Sequence, residues 1–152
     1  MRLGLLSDSH GDTGRLSNVL MRMEADGPVD ALLFLGDGYN DLHALNVELP
    51  PVYQVSGNCD RRVSRPVLIA ELGGHRIFMT HGHLYQVKIR YDILAAAAKQ
   101  EGASIALYGH THQPRVSEYD SMLLVNPGAV CNGQFAVLTI GENGKADVRL
   151  FR

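Results

Sequence analysis

Residues 2–37 read RLGLLSDSHGDTGRLSNVLMRMEADGPVDALLFLGD, and their order decides the fold. The apolar run from Leu3 to Leu6 is a short strand leading to Asp8, and the run from Ala31 to Leu35 is a second strand leading to Asp37. Between them Asp12 stands at a cap position and Leu16, Val19, Leu20 and Met23 recur at helical spacing, which predicts a helix over about 13–25 that Gly27-Pro28 stops. A short helix at about 40–48 and a strand at 52–55 extend the pattern to βαβαβ, the order that gives parallel strands with helices across their faces. An open α/β sheet gathers whatever follows its strands in one crevice beyond their ends, so Asp8 and Asp37 are expected near each other.

The second half reads differently. Runs at 67–72 and 76–80 flank Gly73-Gly74-His75, a turn suited to a hairpin, and a helix is predicted at about 87–101, where Ala95 to Ala98 allow close approach to a sheet. After a strand at 104–108 come strands at 114–119, 121–125, 134–140 and 145–151, separated by the turns Tyr119-Asp120-Ser121 and Gly141 to Gly144. These mostly antiparallel strands predict a second sheet packed on the first with helices outside, an α/β two-sheet sandwich. No linker, repeat or low-complexity segment divides the chain, so residues 1–152 are expected to form one domain.

A chain of 152 residues can bury a sizeable core without disulfides or a structural metal, so any metal serves function. With 45% hydrophobic residues, 20% charged residues and a net charge of −2, there is no broad basic field, and stable nucleic-acid binding driven by counterion release is not expected. No apolar stretch approaches the roughly 20 residues of a membrane span, and Met1 to Leu6 is too short for a signal peptide, so a cytoplasmic protein is expected. Cys59 and Cys131, the only cysteines, read as reduced thiols rather than a disulfide framework.

Seven residues able to bind metals lie on five short motifs: Asp8-Ser9-His10, Gly36-Asp37, Gly57-Asn58, His81-Gly82-His83 and Gly109-His110-Thr111-His112. Each motif alone is weak; their joint order is the signal. In an extended chain Asp8 and His10 point to one side and can chelate one ion. Asp37 has two carboxylate oxygens with which to bridge two cations about 3.5–4 Å apart. Asn58 offers a neutral carbonyl oxygen, which fills a coordination position without adding negative charge. His81, His110 and His112 supply imidazole nitrogens, with Gly82 and Gly109 letting the backbone turn sharply beside them. His43, on an exposed helix face, and His75, in a hairpin turn, are assigned no role.

In this order the motifs resemble the calcineurin-like metallophosphoesterases, and the short length with Gly57-Asn58-Cys59-Asp60 and Asn126-Pro127-Gly128 is similar to their small YfcE-type phosphodiesterase branch. The resemblance implies a four-layer αββα fold and a phosphodiesterase acting on small phosphoesters through a hydroxide held between two divalent transition-metal ions. It places Asp8, His10, Asp37 and His112 on one ion and Asp37, Asn58, His81 and His110 on the other, with Asp37, Asn58 and His81 at the catalytic core. The oxygen–nitrogen donor set suits manganese, iron, cobalt, nickel or zinc, and manganese is the ion expected first. The expected partner is a small-molecule phosphoester, and a homo-oligomer is compatible with the sequence.

One position departs from the pattern. Many members of the superfamily carry a histidine directly after the asparagine, thought to protonate the leaving alkoxide, and here that residue is Cys59. A thiol near a metal pair tends to the thiolate, a poor acid, which leaves water, Asp60 or His83 as alternative contacts to the leaving group. Arg61, Arg62 and Arg65 follow the same loop and are candidates to hold an anionic substrate, and Asp41 is expected to cap the second helix or orient a ligand histidine. The rival functions are a phosphomonoesterase or protein phosphatase and a non-catalytic scaffold resembling the retromer subunit. A pure scaffold is free to lose ligands, and none of the seven is missing here.

Overall fold

The computed structural model describes all residues, 1–152. Strands β1 (Arg2–Leu6), β2 (Ala31–Phe34) and β3 (Val52–Gln54) lie parallel and are joined through α1 (Thr13–Asp26) and α2 (Asp41–Ala44), as the βαβαβ reading requires. α1 begins where the Asp12 carboxylate accepts from the Arg15 backbone N–H, and it ends at Gly27. Its apolar stripe, Leu16, Val19 and Met23, is fully buried against the sheet. α2 is a single turn rather than the expected 40–48. Asn46 takes a left-handed backbone (φ 50°) and Pro50-Pro51 follow, so the chain leaves the helix after Ala44.

β4 (Val67–Leu72) and β5 (His75–Thr80) form the expected hairpin, with Gly73 and Gly74 at φ 59° and 80°, the pair of positive angles that a two-residue turn of this kind demands. His75 is the first residue of its strand rather than part of the turn, and its ring bonds Ser104 Oγ and the Gly144 carbonyl. α3 (Asp92–Gln100) starts later than the predicted 87, because Gln86 is left-handed (φ 54°) and residues 83–90 make one 3-10 turn followed by irregular turns. The remaining strands are β6 (Ile105–Leu107), β7 (Arg115–Tyr119), β8 (Met122–Asn126), β9 (Phe135–Ile140) and β10 (Ala146–Phe151).

The two sheets have the orders β10-β9-β1-β2-β3 and β4-β5-β6-β8-β7. Two details differ from the sequence reading. The last hairpin, β9–β10, joins the first sheet, because β9 is buried on both faces and must lie inside a covered sheet beside β1. The second sheet is parallel at its centre, β5 to β6 to β8, since α3 returns the chain over the sheet between β5 and β6. Leu3, Leu5, Leu33 and Leu35 of the first sheet meet Ile77, Met79, Ile105, Leu107 and Val125 of the second in one core. α1 and α2 cover the outer face of the first sheet, and α3 that of the second, giving the four layers αββα.

Candidate metal centre

The segments leaving β1, β2, β5 and β6 meet at one end of the sandwich and bring together side chains far apart in sequence. His112 Nε2 lies 3.1 Å from Asp8 Oδ1, His10 Nε2 lies 3.6 Å from the same oxygen, and the two imidazole nitrogens are 3.2 Å apart. Asp37, His81 and His110 form a second group whose donor atoms lie within 4.8 Å of one another, with His81 Nε2 3.3 Å from Asp37 Oδ2. Asp37 Oδ2 is also 3.9 Å from His10 Nε2, so this one oxygen stands between the groups. Its other oxygen, Oδ1, accepts from the Cys59 backbone N–H at 2.8 Å. Asp37 thus faces both groups through Oδ2, while Oδ1 is engaged by the Cys59 N–H.

The loops are held by residues that sequence reading did not assign to this task. Asp60 Oδ2 accepts from the backbone N–H groups of Asp37 and Gly57, both at 2.8 Å, and Oδ1 from those of Gly38 and Tyr39 at 2.9 and 3.0 Å. It ties the loop after β2 to the loop after β3. With both oxygens engaged this way, Asp60 does not present a free oxygen to a leaving group. Asp41 caps nothing: α2 has no side-chain cap, and Asp41 Oδ2 accepts instead from Ser9 Oγ and the Gly11 N–H. Ser7 Oγ and the His110 N–H both donate to Asp8 Oδ2, which turns Oδ1 toward the histidines. Buried Asn126 donates to the Gly109 carbonyl and Thr111 Oγ1, fixing the loop that carries His110 and His112. A Cβ on Gly109 would lie 1.9 Å from Ser7 Oγ, so this glycine serves close approach of two loops, whereas Gly82 (φ 104°) provides the turn expected of it.

Backbone conformation marks the same residues. Asp8, His10, Asp37, His110 and His112 all have positive φ, between 50° and 67°. The left-handed region costs a side-chain-bearing residue roughly 1–2 kcal/mol, and such strain concentrates at functional sites. Asp8 and His10 thus converge through a tight left-handed turn, not through the extended chain expected from their i, i+2 spacing.

Electrostatics and hydrogen bonding agree with a cation site. His81 Nδ1 is 2.7 Å from the Leu35 carbonyl, so it carries a proton, and the ring turns Nε2 toward Asp37. Burial opposes protonation of His81, but Asp37 and Asp8 outweigh it and raise its pKa. Burial works the other way on Asp37, where His81 and the Cys59 N–H prevail and hold the carboxyl well below the usual carboxylate range. His110 is pushed down to about 4 by burial and by the charges of His81 and Lys88, so its imidazole is a neutral donor at pH 7. Asp8 Oδ1 and His81 Nε2 are buried without a hydrogen-bond partner among the protein groups. Atoms so crowded repel one another unless a proton or a metal cation lies among them. Donors about 2.1 Å from a common ion stand about 3.0–3.4 Å apart; His112 Nε2 lies 3.1 Å from Asp8 Oδ1 and 3.2 Å from His10 Nε2, with His10 Nε2 slightly wider at 3.6 Å from that oxygen. The residues present therefore fit metal ions.

Of the remaining candidates, Asn58, Cys59 and His83 lie beside these groups. Asn58 is exposed on the loop after β3, and its side-chain hydrogen bond runs from Nδ2 to Cys59 Sγ at 3.4 Å. Cys59 Sγ falls within 4.8 Å of donor atoms of His10 and Asp37, and burial and Asp37 raise the pKa of its thiol. His83 is half-buried, its ring 5.5 Å from His81 and 6.1 Å from His110, and its Nδ1 is buried without a partner. Arg61, Arg62 and Arg65 are exposed and form no ion pairs. His43 is exposed, as expected.

Residues 1–142 match the calcineurin-like phosphoesterase superfamily domain. The chain belongs to this superfamily. The probable metallophosphoesterase YsnB of Bacillus subtilis is 31% identical over 99% of this chain and 90% of its own length. Phosphodiesterase YfcE of Escherichia coli K12 is 28% identical over 86% of this chain and 79% of its own, consistent with the small YfcE-type branch. In fold, the chain also matches the zinc complex of Vps29 from Entamoeba histolytica, with a TM-score of 0.72 at 18% identity over 99% of this chain and 98% of that one. Superfamily membership and the convergent donor groups together describe a metal-dependent phosphoesterase. No helix is long and apolar enough to cross a membrane.

Proposed function

We propose that this calcineurin-like phosphoesterase is a two-metal phosphodiesterase acting on small phosphoesters. The observation that carries the reading is Asp37 Oδ2, positioned between the group of Asp8, His10 and His112 and the group of His81 and His110. In it Asp8, His10, Asp37 and His112 hold one divalent ion, manganese first, and Asp37, Asn58, His81 and His110 hold the other. When bound, such ions supply a water of lowered pKa as nucleophile and neutralise charge on the phosphoryl oxygens. The protein's own part is positional. Asp60, Asp41, Ser7 and Asn126 fix the loops, the Leu35 carbonyl orients the His81 ring, and Cys59 and His83 are the residues that would contact a leaving group.

The relative named phosphodiesterase YfcE supports a diester rather than a monoester as substrate. A non-catalytic scaffold has no use for five strained donor positions, each a cost of about 1 kcal/mol or more. The test is turnover of bis(4-nitrophenyl) phosphate and 4-nitrophenyl phosphate by protein stripped of metal and reloaded with manganese. A higher kcat/KM on the diester, lost on stripping, is expected; exclusive monoester turnover contradicts the diesterase assignment.

A further inference from the structure

The loop that carries Cys59 is pressed onto Asp37. A Cβ on Gly57 would lie 2.1 Å from Asp37 Oδ1, so a glycine at this position lets the loop rest on that carboxylate. The Cys59 N–H donates to the same Oδ1 at 2.8 Å, and Asp60 Oδ2 accepts from the N–H groups of both Gly57 and Asp37. So held, the exposed thiol has its Sγ within 4.8 Å of donor atoms of His10 and Asp37, a third donor group, which lies on the His10 side of Asp37. Asn58 Nδ2 donates to that sulfur at 3.4 Å, a contact suited to a thiolate. Asp8 Oδ1 independently calls for a cation on this side: Asp8 is fully buried, this oxygen has no hydrogen-bond partner, and it stands 3.6 Å from His10 Nε2. Ligands about 2.0–2.3 Å from one zinc ion stand about 3.3–3.8 Å apart in a tetrahedral site, a spacing that rotation of the exposed Cys59 side chain can reach. Thiolate is a soft ligand that favours zinc, whereas carboxylate and water suit manganese.

We infer that Cys59 Sγ is a further metal ligand on the His10 side, taken up by thiophilic ions such as zinc and left free by manganese, so that this residue sets which ion the group of Asp8, His10, Asp37 and His112 prefers. This rests on the reading of that group as a metal site. On binding, the thiol proton passes to solvent and the sulfur lone pair forms the bond to the ion; with manganese bound, Cys59 stays available to a leaving group. Cadmium serves as the probe, because its bond to a thiolate gives an ultraviolet charge-transfer band. Titrating cadmium into metal-free protein is expected to raise this band in the parent and in Cys131→Ser, which lacks the only other thiol, and not in Cys59→Ser. Read at the same band, His10→Ala is expected to weaken cadmium binding about tenfold or more, since a bound imidazole is worth at least what a residue that merely orients a ligand commands. By calorimetry, Cys59→Ser is expected to lower zinc affinity about tenfold or more and to leave manganese affinity within about twofold of the parent. Cadmium that binds without a thiolate band, a band that survives in Cys59→Ser, or a band titration unchanged in His10→Ala overturns the assignment of Cys59, while the manganese isotherm of the parent judges the metal-site reading separately. A parent protein that binds none of the three ions overturns both.

Discussion

His112 shows the cost of the site at a single residue. Its backbone is left-handed (φ 56°), a conformation that glycine adopts freely and alanine does not. His112→Gly and His112→Ala both remove the imidazole, but only the glycine relieves the strain. In metal-free protein the glycine variant is expected to be more stable than the alanine variant by about 1 kcal/mol, roughly 2–4 °C in Tm, with both inactive. Differential scanning calorimetry in a chelator decides it, and equal melting points would mean that the local backbone relaxes. Cys59 is the other informative residue. If no side chain supplies an efficient acid, log rate should fall steeply with leaving-group pKa, and Cys59→His should help poor leaving groups most, by up to roughly 10²-fold. A flat dependence in the parent protein would show that protonation is already provided, with His83→Ala the next variant to measure.

Between elements, Asp60 is the side chain that joins the exits of β2 and β3 through four backbone N–H groups. Asp60→Ala leaves those donors without their acceptor and frees the loop carrying Asp37, so manganese affinity is expected to fall about 10- to 100-fold although Asp60 is not itself a proposed ligand. Calorimetric titration measures this; affinity equal to that of the parent would reduce Asp60 to a local turn. Strands and helices were legible in the sequence where period and punctuation agree, as in α1 with Asp12 before it and Gly27-Pro28 after it. The placement of β9 was not, because burial on both faces is a property of neighbours, and an apolar run such as Phe135 to Ile140 does not name them. The proposed ligands were likewise legible as motifs, since their residue types carry the chemistry. The tasks of Asp41 and Asp60 were not, because the donors they accept from, backbone N–H groups and for Asp41 also the Ser9 hydroxyl, are brought close only by folding.

For the whole molecule, the apolar core between the two sheets contains none of the candidate ligands, and each fully buried Leu or Ile in it contributes roughly 1.5–3 kcal/mol. Stripping metal should therefore abolish turnover without unfolding the chain. Far-ultraviolet circular dichroism is expected to be retained, Tm to fall and then recover on adding manganese, since an ion bound only by the native state raises stability. Loss of the folded signal in chelator would make the metal structural instead. The account stands most directly on one measurement, an anomalous difference map from crystals loaded with manganese. It predicts two peaks roughly 3.5–4 Å apart, one against Asp8, His10 and His112 and one against His81 and His110, with Asp37 between them. A single peak, or manganese bound elsewhere with these side chains unliganded, would contradict it.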